Sequence, residues 1–364
     1  MKIYKNIVLI GRGRETSVEY DGGEYGAYRI EEMVSEIFSN IKRIQILRPN
    51  MIQRARNLLL NEYYGKNQGN YKKIKSITRD MCDLVIFNGS IYGSAVEFLK
   101  ERGFTIATLY HNVEATFYHE KYLQNTSVSN YLMYRYIQNQ ERLCTKFSDI
   151  IITLNNRDSE DLHRKYNKRA AFYIPISYPL IDDNLIKEKT SDESYLLFVG
   201  GNNFANIEGI KRFVRDMLPS IDFELKICGN CCKQLEKDEL FTKNIKVKML
   251  GFVDDIDNLY YGATAVIEPI YRGSGMKTKT VEALQHGKTI FGTHEAFEGI
   301  DVDYGRVGAL CNTPEEFINS INDYLDNRKS TFNAYSYQCF KQRYSTQAVN
   351  VKFRDNMQRL IGNR

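Results

Sequence analysis

Pro269-Ile-Tyr-Arg-Gly273-Ser-Gly275-Met-Lys277-Thr-Lys279-Thr-Val-Glu282-Ala-Leu-Gln-His-Gly287-Lys288 is the stretch on which the reading of this chain turns. A short apolar run, residues 265–268, precedes it. Glycines follow, and then a helical pattern with two lysines in its first turn. The N–H groups at a helix start have no intrahelical partner, and the helix dipole favours an anion there. Lysine is unfavourable at that end, so two of them are accounted for when a bound diphosphate supplies negative charge. Glu282 lies three residues after Lys279, on the same helix face. It can accept hydrogen bonds from the vicinal hydroxyls of a ribose while Lys279 serves the phosphates. The plain structural alternative is an exposed Lys–Glu pair worth roughly a few tenths of a kcal/mol.

Working outward, β-like runs at 195–199, 224–228, 245–250, 265–268 and 289–292 alternate with helical patterns at 208–217 and 277–285. The first half repeats the theme. Strands are expected at 5–10, 44–47, 83–88, 105–110 and 149–154, with helices at 25–38, 94–102 and 130–146. Strands separated by helices imply α/β architecture with parallel, doubly wound sheets. Pro175 and Pro179 break the periodicity, so two Rossmann-like domains are expected, 1–180 and 181–335, facing across a cleft. The helical tail 336–364 is expected to pack back on the first. Ligands in such sheets bind beyond the carboxyl ends of the strands. That singles out residues 11–23, 110–114, 200–206, 251–254 and 269–282.

The length of 364 residues fits two domains, and 43% hydrophobic with 26% charged residues is the balance of a soluble globular chain. No apolar run approaches the roughly 18 residues of a membrane span. Ile7-Val-Leu-Ile10 is too short for a signal peptide and reads as a first strand. Seven cysteines, an odd number, suit a reducing cytoplasm rather than a disulfide framework. Residues 1–180 hold 26 Lys and Arg against 19 Asp and Glu, and 40–79 hold ten bases against Glu62 alone. That segment interleaves its bases with Met51, Ile52, Leu58, Leu59, Leu60, Tyr63 and Tyr64. It suits a helix resting on an anionic membrane surface, or an amphipathic helix packed on its own domain. No nucleic-acid module accompanies the charge, so no nucleic-acid partner is expected.

The 269–288 stretch resembles the donor-binding signature of glycosyltransferase family 4, enzymes of the two-domain GT-B fold. Phe198-Val-Gly-Gly201 with Asn206 and Gly209, Leu225-Lys-Ile-Cys-Gly229, Leu250-Gly-Phe-Val-Asp-Asp255 and Gly292-Thr293 agree in order and spacing. The likeness is strong over residues 196–300 and weaker over 1–180. It implies that Gly275 and Met276 offer backbone donors to a pyrophosphate, that Lys279 and Lys277 hold its charge, and that Glu282 binds the ribose. Phe252 and Val253 would line the base pocket. Ser274 and Thr278 would lie near sugar or phosphate, with Gly23, Gly201 and Asn203 completing the donor side. His111 stands after a strand, where such enzymes often carry a histidine facing the donor sugar. A structural hydrogen bond is the alternative for a lone histidine. Asn112 and Arg12 are the acceptor-side candidates.

Some features depart from the family pattern. An acidic residue often stands eight positions before the helix glutamate, and here that position is Ser274. Asn202 and Asn203 replace the usual Arg and Lys after the second domain's first glycine. Lys288 replaces the proline after Gly287. Gly11-Arg-Gly-Arg-Glu-Thr16 lacks the third glycine of a dinucleotide fingerprint, and residues 44–47 end in Arg48-Pro49 rather than an acid, which disfavours a nicotinamide enzyme. Cys228-Gly-Asn-Cys231 has no second ligand pair nearby, so no metal site is expected.

The expectation is a hexosyltransferase that moves a sugar from a nucleotide-diphosphate sugar, UDP favoured, to a hydroxyl of a glycan or lipid-linked acceptor. The resemblance implies retention of configuration. No cofactor or metal is expected. The setting would be bacterial surface polysaccharide synthesis, in the cytoplasm or peripheral on the inner face of the plasma membrane. Two alternatives stay open at this level: a nucleotide-sugar 2-epimerase of the same fold, and a non-catalytic, transferase-like partner subunit.

Overall fold

The structure is a computed structural model that describes residues 6–12, 22–62, 66–182, 184–186, 194–328 and 330–362, with backbone only at 22–27 and 361–362. Tyr63, Tyr64 and residues 13–16 of the partial glycine fingerprint lie outside the described residues. Two compact units divide the chain. The first is Met1–Pro175 with Ser274–Met276 and Val349–Arg364, and the second is Ile176–Gly273 with Lys277–Ala348.

Among the described residues the first unit has six strands: β1 Asn6–Gly11, β2 Asn40–Gln45, β3 Leu84–Asn88, β4 Ile106–Tyr110, β5 Ile150–Thr153 and β6 Phe172–Tyr173. All are parallel, in the order β2-β1-β3-β4-β5-β6. The three central strands β1, β3 and β4 are near-continuous apolar runs buried on both faces. A parallel sheet covered by helices requires that pattern. Helix Gly93–Lys100 comes so close to helix Val128–Phe147 that a Cβ on Gly93 would stand 2.1 Å from the Gln140 carbonyl oxygen. Phe353, on the terminal helix Thr346–Gly362, fills the space beside Phe38 and Phe172 at centroid distances of 6.5 and 5.9 Å.

The second unit repeats the architecture with β7 Tyr195–Val199, β8 Glu224–Cys228, β9 Val247–Gly251, β10 Ala265–Glu268, β11 Ile290–Gly292 and β12 Gly308–Leu310. The order is β12-β11-β10-β7-β8-β9, again parallel. Two six-stranded parallel sheets with surrounding helices constitute the GT-B fold.

Among the local expectations that shift, the strand expected at 44–47 runs Asn40–Gln45, where it pairs with β1 along its whole length. The strand expected from residue 245 begins at Val247, and Ile245 is 99% exposed. Asn244 closes a turn there, its side chain accepting from the Lys246 N–H at 3.0 Å and its carbonyl from the Val247 N–H at 3.1 Å. The helix expected from residue 208 starts at Phe204, because Asn203 caps it by accepting from the Asn206 N–H. The helical tail is two helices, Ala334–Arg343 and Thr346–Gly362. Between them the chain pairs with Tyr178: the Tyr178 N–H donates to the Tyr344 carbonyl and the Thr346 N–H to the Tyr178 carbonyl.

Candidate functional site

In the second unit the site gathers around helix Thr278–Gln285, which follows β10 and the glycine turn. Gly273 and Gly275 take φ of +146° and +68°, a backbone region that side-chain-bearing residues rarely enter. Lys277 is the cap residue, Thr278 the first helical residue and Lys279 the second. Lys279 is buried. Its ammonium donates to Asn206 Oδ1 at 3.0 Å and stands 4.4 Å from the centre of the Phe198 ring. Neither partner carries a formal charge, and burial pushes this ammonium down to about 8, while Glu268 draws it back up. Lys277 is held differently, donating to Glu295 Oε1 at 2.6 Å in a largely buried ion pair.

Glu282 is half-buried and takes two phenolic donors: Tyr178 to Oε1 at 2.7 Å and Tyr260 to Oε2 at 3.2 Å. Lys279 and Glu282 therefore turn to different partners. Tyr260 is stacked on His286 at 4.6 Å, and the two ring nitrogens of His286 meet the Glu282 carbonyl and Asp257 Oδ1. A rigid second layer thus stands behind the carboxylate.

The other second-unit candidates have defined places. Gly201 and Asn203 form the turn before helix Phe204–Asp216, where the Gly201 carbonyl accepts from Asn206 Nδ2 at 3.0 Å. Asn206 thus bridges that turn to Lys279. Gly209 lies against β10's exit, where a Cβ would stand 2.0 Å from the Pro269 carbonyl oxygen. Phe252 is 43% exposed after β9, with Val253 half-buried beside it. Lys288, in place of the usual proline, is wholly buried and donates to the Tyr261 and Ala263 carbonyls at 3.1 and 3.0 Å. It thereby satisfies orphan acceptors at the end of helix Asp257–Gly262. Cys228, Cys231 and Cys232 are free and buried in the core of this unit.

In the first unit His111 follows β4. Its Nε2 lies 2.7 Å from Asn88 Oδ1, and Asn88 Nδ2 donates to Glu31 Oε1 at 3.3 Å. With the Asn88 amide so oriented, His111 Nε2 carries the hydrogen and Nδ1 is a bare acceptor. Burial, helped by Arg12, pushes the imidazole down to about 4, so it is neutral at physiological pH. Arg12 is exposed just after β1. Gly23 sits in the first turn of helix Gly22–Ile37, and Asp21 lies outside the described residues. Asn112 keeps a buried Oδ1 that has no hydrogen-bond partner. Ser274, Gly275 and Met276 group with this unit.

Behind His111, helix Glu114–Gln124 has no side-chain cap of its own. Glu141, reaching from helix Val128–Phe147, supplies one: it accepts from the Ala115 N–H at 3.4 Å and from the Tyr166 hydroxyl at 2.9 Å. Burial pushes Glu141 up to about 8 and Glu114 up to about 7. Sequence reasoning named neither acid as a site residue, nor Asn88, Glu268, Glu295, Tyr178 or Tyr260. Asn88 and Glu268 carried a usable signal, since each is a polar residue ending a strand at its carboxyl edge. The two tyrosines carried none.

The fold defines the class: a protein of the GT-B fold, part of whose second unit is similar to group 1 glycosyltransferases. Residues 193–327 match the family model described as Glycosyl transferases group 1. The chain is 22% identical over 261 residues to an uncharacterized 44.6 kDa protein in the cps region of Klebsiella pneumoniae, covering 66% of this chain and 65% of that protein's length. Among solved structures, sucrose-phosphate synthase from Thermosynechococcus elongatus aligns with a TM-score of 0.71 at 14% identity, over 99% of this chain and 100% of that one. Anabaena HepE in complex with UDP and glucose aligns with a TM-score of 0.63 at 15% identity, over 97% and 99%. A glycosyltransferase from Rickettsia africae aligns with a TM-score of 0.68 at 13% identity, over 99% of each chain.

Proposed function

We propose that this protein transfers a sugar from a nucleotide-diphosphate sugar, with UDP as the nucleotide, to a hydroxyl of a glycan or lipid-linked acceptor in surface polysaccharide synthesis. The observation that carries the reading is Lys279, a buried ammonium at a glycine-preceded helix start whose hydrogen-bond partner is a neutral amide. A diphosphate is the complement of that arrangement. The group 1 match over 193–327 supports it, as do the HepE complexes with UDP and UDP-glucose and the cps-region setting of the Klebsiella relative.

In this reaction the bond from the anomeric carbon to the phosphate oxygen breaks, and its electron pair leaves on the diphosphate. The acceptor oxygen bonds to the anomeric carbon, and its proton departs with the nucleoside diphosphate. Charge grows on the leaving group, where Lys279 and the helix N–H groups stabilise it. Glu282 takes the ribose hydroxyls. Neutral His111, through Nδ1, accepts from a sugar hydroxyl. We take the reaction to be retaining and to run without a resident metal.

The test is turnover and melting temperature with a panel of nucleotide sugars, with and without glycan acceptors. Acceptor-dependent nucleotide release is expected. A raised melting temperature with no release under any condition would reject transfer.

The first unit is also proposed to rest on anionic membrane. No helix among the described residues is long and apolar enough to cross a membrane. Helix Met51–Leu59, however, leaves Met51, Ile52 and Leu59 at 85%, 82% and 86% exposure. Arg56 lies between Ile52 and Leu59 on one helical face, which suits apolar insertion beside lipid phosphates. Co-sedimentation with vesicles should rise with anionic lipid and fall in Ile52→Asp. Sedimentation indifferent to both would remove the membrane contact.

A further inference from the structure

Glu268 closes β10 beneath the donor helix and is wholly buried, at 0% exposure. Its surroundings locate a proton. Thr280 Oγ1 lies 2.7 Å from Glu268 Oε2 and 2.8 Å from the Ala296 carbonyl oxygen. A hydroxyl has one hydrogen to give, and a carbonyl can only accept. Were Glu268 a carboxylate, one of these two close contacts would join acceptors with no hydrogen between them. A proton on Oε2 satisfies both: Oε2–H donates to Thr280 Oγ1, and Thr280 donates to Ala296. The second oxygen, Oε1, is buried with no hydrogen-bond partner. The carbonyl oxygen of an acid bears that far better than half of an anion does. Burial also pushes this carboxyl up to about 7, against the pull of Lys279.

We propose, resting on the nucleotide-sugar reading, that Glu268 is a positioning residue: it stays a neutral acid in the donor-free chain and so leaves the Lys279 ammonium uncompensated for the incoming diphosphate. A buried carboxylate at this place would neutralise Lys279 and compete with the phosphates. The other titratable groups facing the pair do not fill that role. Lys277 is matched by Glu295 at 2.6 Å. Glu282 is held by Tyr178 and Tyr260. Cys231, from the turn after β8, is a thiol that its Cys232 neighbour and burial keep protonated. Tyr260 is a phenol pushed far up by burial. The neutral side chain at the strand end thus sets the charge that the helix start presents.

The direct test is infrared difference spectroscopy of the whole chain against Glu268→Gln, which keeps the shape and a donor to Thr280 but cannot ionise. A carboxylic-acid carbonyl band present in the native protein, missing from the variant and fading as pH rises through about 7 is expected. If Glu268→Gln does not fold, Thr280→Val should shift the frequency of that band. No band assignable to Glu268 below about pH 7 would overturn the proposal.

The second readout is binding of UDP-glucose, whose diphosphate diester does not titrate in this range. Native affinity should fall by about threefold more than that of Glu268→Gln between about pH 6 and about pH 7.5, below the point where Lys279 itself loses its proton. Parallel pH profiles would overturn the link to Lys279. A present band with no binding of UDP-glucose or any other nucleotide sugar would instead sink the donor reading and leave the neutral acid standing.

Discussion

The Tyr178 hydroxyl donates to Glu282 Oε1 at 2.7 Å across 104 residues of sequence. With Tyr260 on the other oxygen, the carboxylate is fixed in orientation before any ligand arrives. An ionised carboxylate has about four acceptor sites, so two phenols leave room for the two hydroxyls of a ribose. On the proposed nucleotide-sugar reading, the carboxylate is a pre-aimed diol acceptor rather than a saturated ion.

Tyr178→Phe should keep the fold and weaken nucleotide binding by about 1.5–3 kcal/mol, the usual range for a hydrogen bond to a charged group. Isothermal titration with UDP measures it. A nucleotide lacking the ribose diol should bind native protein and variant alike. Equal loss for both ligands would place the role of Tyr178 elsewhere.

Lys279 and Lys277 should separate clearly. Lys279→Ala removes an ammonium held by an amide and a ring face, and should cost about 1.5–3 kcal/mol of donor affinity. Lys277→Ala removes one already matched by Glu295. It should act mainly on stability, and Glu295→Gln should resemble it. Donor titrations beside melting curves distinguish the two, and equal donor losses would contradict the assignment.

Two groups in the first unit should oppose each other in the pH dependence of stability. His111, pushed down to about 4, resists protonation when folded. Its contribution is present above the unfolded value near 6.5 and lost as pH falls toward 4. Glu141, pushed up to about 8, holds its proton when folded. Its contribution is present below the unfolded value of about 4.5 and lost as pH rises through 8. Denaturant midpoints across this range should show a flatter alkaline limb for Glu141→Gln and a flatter acid limb for His111→Ala. An unchanged alkaline limb in Glu141→Gln would show that the carboxyl is ionised in the folded chain.

Gly209→Ala should be among the more damaging small substitutions. Its Cβ would fall 2.0 Å from the Pro269 carbonyl oxygen, which is backbone and cannot swing away. A loss of about 1–3 kcal/mol is expected, with weaker donor binding as the helix carrying Asn206 shifts. A melting temperature equal to that of the native protein would refute the close approach.

Much of this was legible in local pattern. Strands β7, β8 and β10 fall where short β-like runs of four or five residues end in glycine or proline turns. The glycine turn with its two lysines marked the start of helix Thr278–Gln285. Less visible were residues whose partners lie far along the chain. Asn203 stood out as a donor candidate and proves to cap a helix. Lys277 stood out as a phosphate ligand and is paired with Glu295, 18 residues on. Glu268 read only as the last residue of an apolar run. Lys288 read as a departure from pattern, yet it satisfies two buried carbonyls.

The sequence by itself determined the alternation of strand and helix, the repeat of that alternation, and the place of the glycine-preceded helix start with its two lysines. Those features are local, set by the spacing of apolar side chains and by glycine's access to positive φ. Only the tertiary structure decided which charges are matched and which are left open. Tyr178, Tyr260, Glu295, Asn206 and Thr280 reach the site from separate elements, and burial there sets the proton state of Glu268 and Lys279. Hydrogen bonds and desolvation depend on what lies within a few ångströms in space, and distance along the chain says little about that.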